Sequence, residues 1–218
     1  MHEPEARWLA AQLRELPVDA LSPMLNVGSS TRHFREVKQP WIARDVFAPL
    51  GERGCRVIHL DMKMDDGVDL CGDVMDAAFR GRVASLGARS VFCSNVLEHV
   101  TEPACLAGQL EAIVPPSGYL IVTVPHRFPY HPDPIDTLFR PDVETLHALF
   151  PRTRLVAGDI VDCGTIWDTM GRSWPQLVAR IAWLPLFFVQ HRRWIGNAQK
   201  LRALGSRASA TCAVLRRV

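Results

Sequence analysis

The sequence predicts an α/β fold: a seven-stranded, mostly parallel sheet with helices on both faces and a helical insertion between the last two strands. Three observations lead there. Short apolar runs alternate with helix-period segments from residue 22 to about 150, the pattern of strand, crossover and parallel strand. Several of those runs end on small or acidic residues, as strands feeding ligand loops do. Finally, 218 residues with 48% hydrophobic and 22% charged content suit one packed domain and are too few for two ordinary ones.

The elements follow in order. Ala6, Leu9, Ala10, Leu13 and Leu16 recur at helical spacing, and Pro17 closes this N-terminal helix, so residues 1–21 precede the sheet. Met24 to Val27 is a strand running into Gly28-Ser29-Ser30-Thr31. Pro40 and Trp41 place a loop and a second short helix before the next strand, Arg56 to Asp61. Val68 to Val74, Ser90 to Cys93 and Tyr119 to Val124 are the third, fourth and fifth strands. Helices are expected near 75–86, 101–114 and 142–150. Arg154 to Asp162 and Ala210 to Arg216 complete the sheet. A single domain results, with a core at 22–162, an insertion at 163–208 and a final strand at 209–218.

Charge divides this chain unevenly. Residues 1–168 hold 16 Lys/Arg and all 23 Asp/Glu, whereas 169–218 hold 9 Lys/Arg and no acid. The acidic body argues against nucleic acid as a partner. The insertion carries Trp167, Trp174, Trp183 and Trp194 beside Arg180, Arg192 and Arg193. It reads as a helix pair serving as a lid or a contact for a second copy of the chain; a membrane surface is the alternative. Leu177 to Val189 is too short and proline-broken to span a bilayer. The N-terminus lacks the pattern of a signal peptide, and six scattered cysteines without a CxxC pair read as reduced thiols, so a cytoplasmic location is expected.

The strand ends carry the chemistry. Gly28-Ser29-Ser30 lets backbone approach a ligand closely. Asp61 can accept two hydrogen bonds from a ribose diol, and Asp73 one from an adenine amino group. Ser94-Asn95 adds a polar edge after the fourth strand. In this order they describe a nucleoside pocket.

These residues resemble the class I S-adenosylmethionine-dependent methyltransferases, in particular the bacterial type 11 group, over residues 22–126. Leu25-Asn26-Val27-Gly28-Ser29-Ser30 is similar to the family's glycine-rich first motif, and Asp61 to the acidic end of its second strand. Gly72-Asp73-Val74 is similar to the adenine-side motif, Ser94-Asn95-Val96-Leu97-Glu98-His99-Val100 to the string after the fourth strand, and Ser117 to Pro125 to the turn and fifth strand. The resemblance implies a Rossmann-like fold with S-adenosylmethionine as cofactor. Gly28 with its neighbours Asn26, Ser29 and Ser30 would lie at its methionine part, Asp61 would hold the ribose hydroxyls, Asp73 and Val74 the adenine, and Met62, Ser94 and Asn95 would complete the cofactor site. The chain departs from the pattern where Asn26 replaces an acid and Ser30 and Arg32 replace glycines. The 33-residue interval from Gly28 to Asp61 also exceeds the roughly 20 of dinucleotide folds. A nicotinamide oxidoreductase is disfavoured because Ser30 and His33 occupy the other GxGxxG positions.

Methyl transfer needs an aligned acceptor and, for a hydroxyl, a base. The proline-stiffened loop Pro125 to Asp136 follows the fifth strand, and His131, Asp133 and His126, in that order, are its candidates. In some members of the resembling family an acid three residues before such a Glu-His pair helps bind a divalent metal; here Asn95 stands at that position, before Glu98-His99, so no metal is expected. The function expected is methyl transfer to a small or medium acceptor, at oxygen, with sugar or cell-envelope precursors in range. The alternative is a non-catalytic binding or interaction protein on the same fold, favoured by Asn26, Ser30 and the basic insertion.

Overall fold

The computed structural model describes residues 1–131, 135–165 and 205–218. Five parallel strands, β1 (Met24–Val27), β2 (Val57–Asp61), β3 (Leu70–Cys71), β4 (Ser90–Ser94) and β5 (Tyr119–Arg127), form most of one sheet. A long antiparallel pair, β6 (Thr153–Thr165) and β7 (Arg207–Arg217), completes it, with β7 also antiparallel to β5. The order across the sheet is β3-β2-β1-β4-β5-β7-β6, which agrees with the predicted class.

The central strands β1, β4 and most of β5 are buried at nearly every position because both faces are covered, whereas edge strand β6 is largely exposed. Leu25, Ile58, Val91 and Leu120 face α4 (Ala77–Ala84), α5 (Pro103–Ile113) and α6 (Val143–Ala148). Their chain neighbours Met24, Phe92 and Ile121 face the opposite layer, built from α1 (Glu3–Glu15), α2 (Val18–Leu21) and α3 (Ala48–Glu52). Each fully buried Leu, Ile or Phe contributes about 1.5–3 kcal/mol by leaving water, so this two-sided packing fixes the register of the central strands.

Three elements differ from expectation. The third strand, expected over 68–74, shortens to Leu70–Cys71 because the Asp73 carboxylate accepts from Met75 N (2.8 Å) and turns the chain out of the ladder. Between β1 and β2 the chain forms two π-helical turns, Phe34–Lys38 and Ile42–Phe47, and then α3, rather than a loop and one helix. The last two strands extend further than expected, pairing Thr165 with Arg207. Most of the expected insertion, 166–204, including its helix pair and four tryptophans, lies outside the described residues. No helix among the described residues is long and apolar enough to cross a membrane. The six cysteines are free thiols.

Candidate active site

β1 lies between β2 and β4, so the crossovers leaving its two sides diverge and their loops part at the carboxyl ends. Gly28 sits in this gap with φ +71°, and a Cβ there would lie 2.4 Å from Val96 Cγ2. The glycine is therefore required twice, by its dihedral and by the approach of the loop after β4. Ser29 N donates to Leu60 O (3.0 Å), and Ser30 N donates to Asp61 Oδ2 (2.8 Å), so the turn is tied to the end of β2. Asp61 Oδ1 also accepts from Lys63 N (3.1 Å). Each carboxylate oxygen keeps a lone pair for a further donor.

Ser30 stands where the resembling family carries glycine, and it adopts the left-handed conformation regardless, at φ +53°. Buried Arg35 holds it there. Its guanidinium donates to Ser29 O (2.9 Å), Ser30 O (2.6 Å) and Gly67 O (2.7 Å), lacing the turn to the loop after β2. Burial lowers the pKa of this arginine. Since a non-glycine residue is strained in this region, Ser30→Gly should stabilise the protein by about 1 kcal/mol. Urea titration of the two proteins measures this; a lower midpoint in the variant counts against the strain.

Asn26 turns to the other face of the sheet, where its Nδ2 donates to His59 Nδ1 (2.9 Å). Burial, helped by the charge of Arg35, lowers the His59 pKa to about 4 and keeps this ring neutral as an acceptor. Gly72 N donates to Asp61 O (3.0 Å), which sets Asp61 and Met62 beside Asp73 and Val74. Met62 is exposed at 69% and presents an apolar surface there, while Val74 is buried.

Ser94 and Asn95 end β4, and their side chains are engaged by a residue from far away. Glu5 of α1 is fully buried; its Oε1 accepts from Thr123 Oγ1 (2.6 Å), Asn95 Nδ2 (3.0 Å) and Ser94 Oγ (3.3 Å), and its Oε2 from His2 N (2.9 Å). Burial acts to raise the Glu5 pKa, but the chain's amino terminus, His2 and these donors outweigh it and the net direction is down. Sequence reasoning missed Glu5 and Arg35. Glu5 carried a signal, because it shares a helix face with Leu9 and Leu13 at i+4 and i+8; Arg35, inside an otherwise polar stretch, carried none.

Beyond β5, the loop that follows is folded around Asp136. This carboxylate accepts from Arg140 Nη2 (2.7 Å), His131 N (2.9 Å) and Leu138 N (2.9 Å). Burial opposes ionisation, yet the guanidinium and two backbone N–H groups hold its pKa down at about 2. His131 Nδ1 lies 3.1 Å from Pro129 O and 3.2 Å from Asp136 Oδ2, and its ring meets those of His99 and Phe128 edge-on. His126 turns instead to Pro141 O (3.3 Å). Asp133 lies outside the described residues. Glu98, at the turn after β4, is fully buried, its two oxygens have no hydrogen-bond partner, and burial pushes its pKa up to about 7.

No family model matches the chain, and no curated protein matches it significantly. Solved structures do. A protein from Galdieria sulphuraria assigned as a sarcosine dimethylglycine methyltransferase superposes with a TM-score of 0.55 at 11% identity, over 97% of this chain and 83% of that one. A coclaurine N-methyltransferase bound to N-methylheliamine and SAH gives 0.54 at 12% identity, over 99% and 72%. An S-adenosylmethionine-dependent methyltransferase from Anabaena variabilis ATCC 29413 gives 0.52 at 10% identity, over 97% and 84%.

Proposed function

From its class I methyltransferase fold, we propose that the chain uses S-adenosylmethionine to methylate a small or medium acceptor. The acceptor atom proposed is an oxygen, in a molecule of the sugar or cell-envelope-precursor type. One observation carries the reading: at the point where the sheet order reverses, Asp61 ties the Gly28 turn to its carboxylate, through Ser30 N, and the Asp73–Val74 turn to its carbonyl, through Gly72 N. In this reading Gly28, Ser29 and Ser30 back the methionine part and Asp61 accepts from the ribose hydroxyls. Met62, Asp73 and Val74 flank the adenine, while Ser94 and Asn95, braced by Glu5, form the opposite wall. Asn26, hydrogen-bonded to His59, stands at the base of the same turn on the methionine side. The acceptor side is the loop after β5, with His131 first, then His126 and Asp133.

Isothermal titration calorimetry with S-adenosylmethionine should show micromolar binding. Asp61→Ala should weaken it by about 100-fold, the loss of charge-assisted hydrogen bonds to the ribose. A folded wild-type chain that does not bind overturns the reading. Mass spectrometry of extracts incubated with the protein and isotopically labelled methyl donor then identifies the acceptor. Binding without turnover in those extracts favours a non-catalytic role.

A further inference from the structure

Glu98 presents a problem that the proposed reaction does not solve. Its carboxylate is entirely buried without a hydrogen-bond donor, although an unpaired buried carboxylate is costly and native folds seldom keep one. Two imidazoles stand over it. Among the described residues, Glu98, His99 and His131 form the one group whose ligating atoms all lie within 4.8 Å of one another, and His99 Nε2 is 3.7 Å from Glu98 Oε1.

Both rings are oriented from behind. His99 Nδ1 is held by Ile135 O (2.5 Å), and His131 Nδ1 by Pro129 O with Asp136 Oδ2 next to it. A ring nitrogen facing a carbonyl oxygen must carry the proton, so each Nε2 is left with its lone pair free. The segment 135–137 makes this arrangement rigid. Ile135 holds His99, Asp136 holds His131, and Thr137 donates to Glu98 O through both its N (2.9 Å) and its Oγ1 (3.1 Å). Outer oxygens that fix the tautomer and direction of imidazole ligands are the usual support of a metal centre.

We propose that Glu98, His99 and His131 bind a divalent first-row transition cation. Two imidazoles and one carboxylate suit zinc, cobalt or manganese rather than magnesium, which prefers oxygen ligands and retained water. The charge balance agrees, because Arg140 is already paired with Asp136, and a bound cation would favour the ionised form of Glu98 that burial disfavours. Three protein ligands leave coordination positions for an acceptor oxygen, which the cation would hold at the carboxyl ends of β4 and β5. That last role rests on the methyltransferase reading; the binding of the ion does not. The sequence pattern missed the site because it shows Glu98-His99 with a neutral Asn95, whereas His131 arrives from a different loop.

The test is Co²⁺ titration of chelator-treated protein without cofactor, followed by calorimetry and by visible absorption. One equivalent per chain should bind, and excess Zn²⁺, but not Mg²⁺, should displace it. Glu98→Gln and His131→Ala should each weaken binding at least 100-fold, Asp136→Asn about 10-fold, and exposed His33→Ala should leave it unchanged. Glu98→Gln should melt no lower than the chelated wild type, since it replaces an unpartnered carboxylate with a neutral amide. Absence of stoichiometric Co²⁺ binding to folded wild type, equal affinity in the Glu98 and His131 variants, or displacement by Mg²⁺ overturns the proposal. Titrating the same chelated protein with S-adenosylmethionine separates the two readings: cofactor binding without cobalt binding sinks only the metal site, and the reverse sinks only the methyltransferase.

Discussion

Gly28→Ala is expected to abolish detectable S-adenosylmethionine binding and to destabilise the protein by about 3 kcal/mol. Two costs add. An alanine held at φ +71° is strained by about 1–2 kcal/mol. Its methyl would also overlap Val96 Cγ2, 2.4 Å away, and overpacking of this kind costs about 1–3 kcal/mol. Val96 cannot swing clear, because its branch point is at Cβ. Relief must therefore come from the backbone, by opening the turn from the loop after β4 and spoiling the surface that the cofactor would touch. Denaturant titration and calorimetry measure both effects. Gly108→Ala in α5, where a new Cβ meets nothing within 4 Å, is the control and should be neutral or slightly stabilising. Adding Val96→Ala to Gly28→Ala should recover the steric part and leave the dihedral part. Wild-type affinity in Gly28→Ala would remove this turn from the cofactor site.

Glu5→Ala is expected to cost about 3–5 kcal/mol, the range for removing one partner of a buried charged network. The loss would remove the acceptor shared by the Thr123 hydroxyl, the Asn95 amide and the His2 N–H, leaving Ser94 Oγ to the first two and nothing to the third. Glu5→Gln, which retains an acceptor, should cost less than half as much. The sign of the pH dependence follows from the same cluster. His2 is buried neutral with its pKa lowered to about 4, burial being the main cause, so its contribution is complete above about pH 6.5 and is lost between there and pH 4. Glu5, with a lowered pKa, contributes above the ordinary carboxylate range and loses that contribution as acid protonates it. Docking of α1 should thus weaken on acidification through this window. His59 acts in the same direction and Glu98, with its raised pKa, in the opposite one, so the α1 part is the share of the melting-temperature change between pH 7 and pH 5 that His2→Ala removes. A profile unchanged in His2→Ala, or a neutral Glu5→Ala, would mean that α1 does not brace the site.

Much of the sheet was legible because it rests on local pattern. The apolar runs Met24–Val27, Ser90–Cys93 and Tyr119–Val124 are hydrophobic on both sides of the pleat, the pattern a sheet covered on both faces rewards. Gly28 and Asp61 were legible because each closes such a run, whereas Asp73, expected at the end of the third strand, lies past it. The short β3 and the π-helical turns were less so, since they depend on which side chains capture backbone groups: Asp73 takes Met75 N, and Arg35 takes three carbonyls.

The succession of strands along the chain and the polar character of their carboxyl ends were thus determined by sequence alone, through periodicity and the few residues that can end a buried strand. Which side chains meet at those ends was decided only by the tertiary structure. Glu5 reaches Thr123 across 118 residues, Arg35 reaches Gly67 across 32, and His131 comes to Glu98 and His99 from another loop. Such contacts carry no period. They depend on strand register and on the direction each side chain takes once the core has packed, and these exist only when the whole chain is folded.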